Sequence, residues 1–274
     1  MQNKMKKIIL LMVTFGFTAL SMAQEAADKK VQAGLVFGSG VNFQKMQTNY
    51  MQSNGLGFDW TVGTNLVFNF SETIGLNTGV EFDFNSLKYA PSDVNKVFYY
   101  YNNTEILEYR DGITNPDANL FQLTERFQKS VYLTVPTMLT FRTSFFGYWR
   151  YFGRFGLRNS FLLTSKVDDE GFVNGDVQSG QKLNENFVSK NDLFFVKSAV
   201  GLSMGAEWNF SGSTSLVAEL GYYYGFTPLH TPKNTDPGKE KNSLFSATDS
   251  SSNRVMFNNK STQNQIMLKV SILF

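Results

Sequence analysis

The sequence predicts an all-β protein, an eight-stranded antiparallel transmembrane up-and-down β-barrel with short periplasmic turns and long extracellular loops. Three observations carry this prediction. Apolar and polar residues alternate with period two in eight separate stretches, the pattern of strands with one apolar face. Beyond the amino terminus no stretch stays apolar for the ~20 residues that a spanning helix needs. The connections between the stretches are short and long by turns, as in bacterial barrels. Composition agrees: aromatic residues reach 15%, yet a mean hydropathy of -0.22 leaves the chain rich in polar surface. Alternating strands produce that combination and continuously apolar helices do not.

Residues 1–23 read as a signal peptide. Lys4, Lys6 and Lys7 form the positive region, Ile8 to Leu20 the apolar region, and Ser21-Met22-Ala23 a small-x-small cleavage site. An uncleaved anchor is the competing reading, but the apolar run of ~13 residues is short for one. Removing the segment takes three lysines and no acids, which moves the formal charge from +2 to about -1. No electrostatic case for nucleic acid remains. The absence of cysteine excludes disulfides and thiolate metal sites. Residues 24–30 are expected to form a short periplasmic segment, and residues 31–274 the barrel domain.

The first strand, Val31 to Gln44, sets Val31, Ala33, Leu35, Phe37, Val41 and Phe43 against Gln32, Gly34, Gly38, Gly40 and Asn42. Phe58 to Phe70 opposes Phe58, Trp60, Val62, Leu66 and Phe68 to Asp59, Thr61, Gly63, Asn65 and Asn69, and the third strand opposes Ile74, Leu76, Val80, Phe82 and Phe84 to Asn77, Gly79, Glu81, Asp83 and Asn85. Ser130 to Arg142 carries Val131, Leu133, Val135, Leu139 and Phe141 outward. Trp149 to Leu163 opposes Tyr151, Phe155, Leu157 and Phe161 to Arg150, Arg154, Arg158 and Ser160. Phe194 to Phe210 and Thr214 to Phe226 follow the same rule, with Lys197, Glu207 and Glu219 on their polar faces. Gln265 to Phe274 closes the set: Ile266, Leu268, Val270, Ile272 and Phe274 face one way and Gln265, Lys269 and Ser271 the other, with Met267 and Leu273 blurring the second face. Pairing this strand with the first would remove both open edges.

Ser71 to Thr73, Thr143 to Tyr148 and Ser211 to Ser213 are short turns, whereas Lys45 to Gly57, Tyr89 to Lys129, Thr164 to Leu193 and Thr227 to Ser261 are long. Both termini are then periplasmic. A soluble lipocalin-like barrel or sandwich is the alternative, and it would require the glycine-rich polar face to meet solvent.

Two features carry a family resemblance. A strand that alternates and stops on aromatic Phe274 resembles the closing strand of bacterial outer-membrane barrels, whose ending is read by the barrel assembly machinery. Tyr132-Leu133-Thr134-Val135-Pro136-Thr137-Met138-Leu139 resembles the proline-bearing strand of the PorT-like outer-membrane β-barrel proteins of the Bacteroidetes. Gly153 and Gly156, Ala199-Val200-Gly201, and Tyr222-Tyr223-Tyr224-Gly225-Phe226 are similar to that family's later strands, although Thr140-Phe141-Arg142 stands where a lysine-tyrosine ending is usual. The resemblance implies a Gram-negative outer membrane and, through the member that named the family, an accessory part in type IX secretion. Pro136 has no N–H for a ladder, so it belongs at a bulge or where pairing is already broken.

The polar face holds the candidate chemistry. Arg150, Arg154 and Arg158 recur at even spacing and point the same way, into a lumen shared with Asp59, Glu81, Asp83, Lys197, Glu207, Glu219 and Lys269. An eight-stranded barrel is just wide enough for its own side chains, and buried charges are costly unless paired. A salt-bridge network that plugs the lumen is therefore expected, with an anion-selective small-solute channel or a ligand site as the alternative. Phe98, Tyr99, Tyr100 and Tyr101, in the longest outer loop, are candidates for contact with a protein or glycan, unless that loop folds over the barrel mouth or joins the interfacial girdle. Asp168, Asp169, Glu170, Asn174 and Asp176 could offer carboxylates to Ca²⁺, but their order does not match an EF-hand loop. His230, the single histidine, lies near the outer rim without a second recognisable catalytic element. The expected protein is not an enzyme, takes no cofactor, and meets outer-membrane lipid.

Overall fold

The computed structural model describes residues 30–100, 107–109, 120–173, 182–188, 193–211, 214–230, 245–248, 254–256 and 260–274. The expected signal peptide and residues 24–29 lie outside them. In chain order the strands are β1 (Val31–Met46), β2 (Met51–Ser53), β3 (Gly57–Asn69), β4 (Ile74–Pro91), β5 (Val97–Tyr100), β6 (Leu107–Tyr109), β7 (Leu120–Arg142), β8 (Trp149–Val173), β9 (Lys182–Val188), β10 (Val196–Ser211), β11 (Thr214–Gly225), β12 (Phe245–Thr248), β13 (Arg254–Met256) and β14 (Ser261–Leu273).

Eight of these form a closed ring, in the order β7-β4-β3-β1-β14-β11-β10-β8, and the β8–β7 pairing completes it. Every pair in the ring is antiparallel, as the eight alternating stretches require. The first and last strands pair from Gly34↔Leu273 to Met46↔Ser261, and the Phe274 N–H adds a bond to the Ala33 carbonyl at 2.8 Å. Alternation decides the faces: Leu35, Phe37, Phe58, Phe141, Phe155, Leu202 and Leu268 form an exposed apolar belt, while Asn42, Asp59, Glu81, Arg158 and Lys269 are buried inside. Met267 and Leu273, ambiguous in the sequence, point inward and are buried.

Three strands run further than their alternation suggests. β4 continues past Asn85 to Pro91, β7 begins at Leu120 rather than Ser130, and β8 continues past Leu163 to Val173. The reason is a change of pattern. Below Val131 and Leu163 the apolar residues face outward; above them Leu87, Tyr89, Phe121, Leu123 and Val167 face inward, and Lys88, Lys129 and Lys166 face out. An apolar-out strand thus becomes an apolar-in strand without ending. A bulge assists in β8, where the partners shift between Val131 and Tyr132 and the inward set passes from even to odd positions. The long outer connections are correspondingly more structured than expected. β5, β6, β12 and β13 extend the sheet from the upper end of β7, and β9 pairs with the upper end of β8.

Pro136 sits where the β4–β7 ladder is interrupted, between Thr78↔Thr137 and Glu81↔Thr134. The Thr78 hydroxyl donates to the Pro136 carbonyl at 2.7 Å, so this residue's backbone edge faces β4 at the break, where no N–H is called for. Gly79 occupies the other side of the gap with φ +152, and a Cβ there would meet the Thr64 carbonyl oxygen at 2.1 Å.

Candidate functional site

The barrel interior is filled in layers. At the periplasmic end Arg150 grips Glu207 with two bonds, Nε to Oε2 at 2.7 Å and Nη2 to Oε1 at 2.8 Å. The two residues are direct cross-strand partners on β8 and β10. Arg142 joins this end by donating to Asn69 at 2.5 Å. Val67, Phe152, Val217 and Leu273 form an apolar cluster beside it. One step up, Arg154 pairs with Glu219 and stacks over the Phe152 ring at 4.4 Å.

The middle layer crosses the lumen. Arg158 on β8 lies 2.6 Å from Glu81 and 2.6 Å from Asp83 on β4, and Glu81 accepts a second cation, Lys269 of β14, at 2.7 Å. Tyr223 lies between these cations, its ring 5.1 Å from Arg158 and 5.5 Å from Lys269. Its ring has room because Gly201 and Gly221 flank it; a Cβ on either would stand 2.6 Å or 2.9 Å from ring carbons. Met138, Ala199 and Met267 complete that layer.

Above it, Asp59 accepts from Asn42 at 2.7 Å, Asn85 at 2.9 Å and Gln265 at 2.7 Å. Lys197 donates to Asn85 and Gln263, each at 2.8 Å, over the Tyr132 ring. All ten charges expected on the inward face are therefore buried there: eight in ion pairs, and Asp59 and Lys197 held by amides. The amides that hold them were visible only as polar inward residues, since nothing in a one-dimensional pattern says which polar atoms meet across a lumen.

The outer end carries a polar cluster beneath an apolar cap. His230 Nδ1 lies 2.6 Å from the Ser261 hydroxyl, and Nε2 lies 3.2 Å from Gln128 Oε1, which also accepts from Tyr89 at 3.0 Å. His230 is thus not a rim residue open to solvent; it is wholly buried, as is Ser261. Desolvation lowers its pKa to about 3, with Arg126 acting in the same direction, so its imidazole is a poor base. His230 and Ser261 thus form a pair in which both residues are buried.

One further expectation is corrected. Phe98 and Tyr99 are not exposed loop aromatics: they are 2% and 1% exposed. β5 pairs with β7, and Tyr99 packs with Met51, Leu87, Tyr89, Phe121, Leu193 and Leu229 in a cap over the mouth while its hydroxyl reaches Asp169 at 2.8 Å. Tyr100 belongs to the same strand, and Tyr101 lies outside the described residues. In the acidic run, Asp168 and Asp169 point apart. Strand alternation turns Asp169 inward to Arg126, at 2.7 Å, and Asp168 outward to Lys129, at 2.7 Å. Among the described residues no group of three or more His, Cys, Asp or Glu could hold a metal ion; Asn174 and Asp176 lie outside them. The Arg126–Asp169 pair went unforeseen, although extending the Ser130 alternation backward through Gln128 reaches Arg126.

A family match agrees with this architecture. The outer membrane protein beta-barrel domain family matches residues 22–231. No curated protein matches the chain. Similar solved structures include OprG of Pseudomonas aeruginosa, 9% identical over 92% of this chain and 97% of that one with a TM-score of 0.40. Ail of Yersinia pestis is 11% identical over 92% and 100%, with a TM-score of 0.31. Neisserial surface protein A is 7% identical over 90% and 98%, with a TM-score of 0.35. With a closed antiparallel ring, an outward apolar belt and the family match over most of its length, this chain belongs to the outer membrane protein beta-barrel domain family and resides in the outer membrane.

Proposed function

We propose that the protein is a charge-plugged barrel, neither channel nor enzyme, whose task is carried by its extracellular end in a structural or binding role. The observation that carries this reading is the Arg158–Glu81–Lys269 chain, which ties β8, β4 and β14 together across the lumen. The apolar cap around Tyr99 and Leu229 closes the path a second time. With Phe98 and Tyr99 folded into that cap, the surface that the described residues offer to a protein or glycan is the outward face of the extended β4, β7 and β8. Planar-bilayer recording tests the closure: the expected trace shows no conductance steps, and steps from the unmodified protein would establish the small-solute channel instead. Photo-crosslinkers at Glu125 in intact cells test the binding role. Capture of a discrete protein or glycan is expected, and an absence of capture from every outward position would reduce the role to a structural one.

A second reading rests on the Pro136 strand and its likeness to PorT-like proteins: an accessory part in type IX secretion in a member of the Bacteroidetes. Normal secretion in a strain deleted for this gene would end it.

A further inference from the structure

The outward face of β7 and β8 carries a charge pattern that the sealed interior does not explain. Lys129 and Lys166 are direct cross-strand partners, both exposed and both directed away from the lumen. Like charges directly opposite one another destabilise a sheet. Asp168 answers Lys129 at 2.7 Å. Lys88 stands on the same face, 4.6 Å above the ring of Phe127, which is the register partner of both Lys88 and Asp168. Among the described residues, three ammonium groups therefore share one strip in which Asp168 is the neighbouring carboxylate.

The height of the strip is informative. The next outward pair below it is Val131↔Thr164, with the exposed Leu163 beside it, where the apolar belt ends. The outward pair four residues above it is Glu125↔Glu170, about 14 Å further along the strands at ~3.4 Å per residue. Between these two pairs lies the level of Lys88, Phe127 and Asp168, so the outward charge runs from two lysines next to the belt, through one lysine with one aspartate, to two glutamates further from the membrane. A face evolved only for solvation has no reason to separate its signs by height, whereas a face that meets anions held at one level does. The layer at that level is the headgroup region of the outer leaflet, continuous with the lipid surface that the belt already meets. Ammonium groups act there as compact point charges toward phosphate.

We propose that Lys88, Lys129 and Lys166 form a binding site for the phosphate groups of outer-leaflet lipids. The test uses the full mature chain in phosphatidylcholine nanodiscs that contain a small fraction of a fluorescent bisphosphorylated glycolipid or its dephosphorylated counterpart. Energy transfer from a dye on the barrel reads lipid enrichment around the protein. Enrichment of the phosphorylated lipid is expected, falling about fivefold for each of Lys129→Gln and Lys166→Gln. Glu125→Gln/Glu170→Gln should leave it intact. Heat-modifiable migration on gels establishes that each variant is folded, and Lys166→Gln alone serves if Lys129→Gln does not fold. Equal enrichment of the two lipids, or unchanged enrichment in the folded lysine variants, would overturn the site. Displacement of the lipid by millimolar inorganic phosphate would overturn the lipid as its occupant.

Discussion

Lys269 Nζ lies 2.7 Å from Glu81 Oε1, although their strands stand three places apart around the ring. Because Glu81 also receives Arg158 at 2.6 Å, it is the acid on which two buried cations depend. Removing one member of a buried pair costs about 3–5 kcal/mol, since the survivor stays desolvated without a partner. Glu81→Leu should therefore destabilise the barrel by at least that amount. Glu81→Leu/Lys269→Met should be less destabilising than Glu81→Leu alone, as urea unfolding monitored by gel mobility would show.

Tyr223 depends on the missing side chains around it. Gly201→Ala would drive a methyl group to 2.6 Å from the ring, which Arg158 and Lys269 flank. The expected loss is about 1–3 kcal/mol, typical of overpacking. Adding Tyr223→Leu should recover part of it, and unfolding midpoints of the single and double variants decide the point.

Tyr99 behaves as a core residue. Tyr99→Ala should cost about 3–5 kcal/mol by opening a cavity in the cap. Chemical tyrosine labelling of intact cells should leave Tyr99 unmodified, and rapid modification of it would contradict its burial.

His230 makes the cap sensitive to acid. Its folded-state pKa lies near 3, below the ordinary value of 6.5, so protonation favours the unfolded chain. The stability it confers is complete above pH 6.5 and is lost as pH falls from there toward 3, by about 1.4 kcal/mol per unit. Unfolding between pH 7 and 4 should show this slope, and His230→Asn should remove that part of it.

Pro136→Ala should be mild, since the backbone edge that lacks an N–H faces the interrupted ladder. A loss of about 0.4–1 kcal/mol is expected from the greater freedom of the unfolded chain. A loss several times larger would mean that the proline itself shapes the gap.

The alternation of Leu35, Phe37, Ile266 and Leu268 against Gly34, Gly38, Gln265 and Lys269 was enough to read the ring and its closing pair. A lipid-facing strand writes its environment onto every second residue. The same logic put Arg150, Arg154 and Arg158 inside. It failed at Lys88, Lys129 and Lys166, because there the strand leaves the lipid and the apolar face changes sides; a reader following outward apolar residues stops at that level. Phe98 and Tyr99 misled for the same reason, as aromatic residues in a connection look available until a cap is seen to enclose them.

By itself, then, the sequence determined which residues face in and which face out along each spanning strand, since backbone geometry alternates side chains whatever the partner strand does. Only the tertiary structure decided who meets whom inside: that Glu81 serves Arg158 and Lys269 together, that amides rather than cations surround Asp59, and that His230 is sealed beneath the cap. Those contacts join strands far apart in the chain, and they depend on the curvature and register of the closed ring, which no local pattern records.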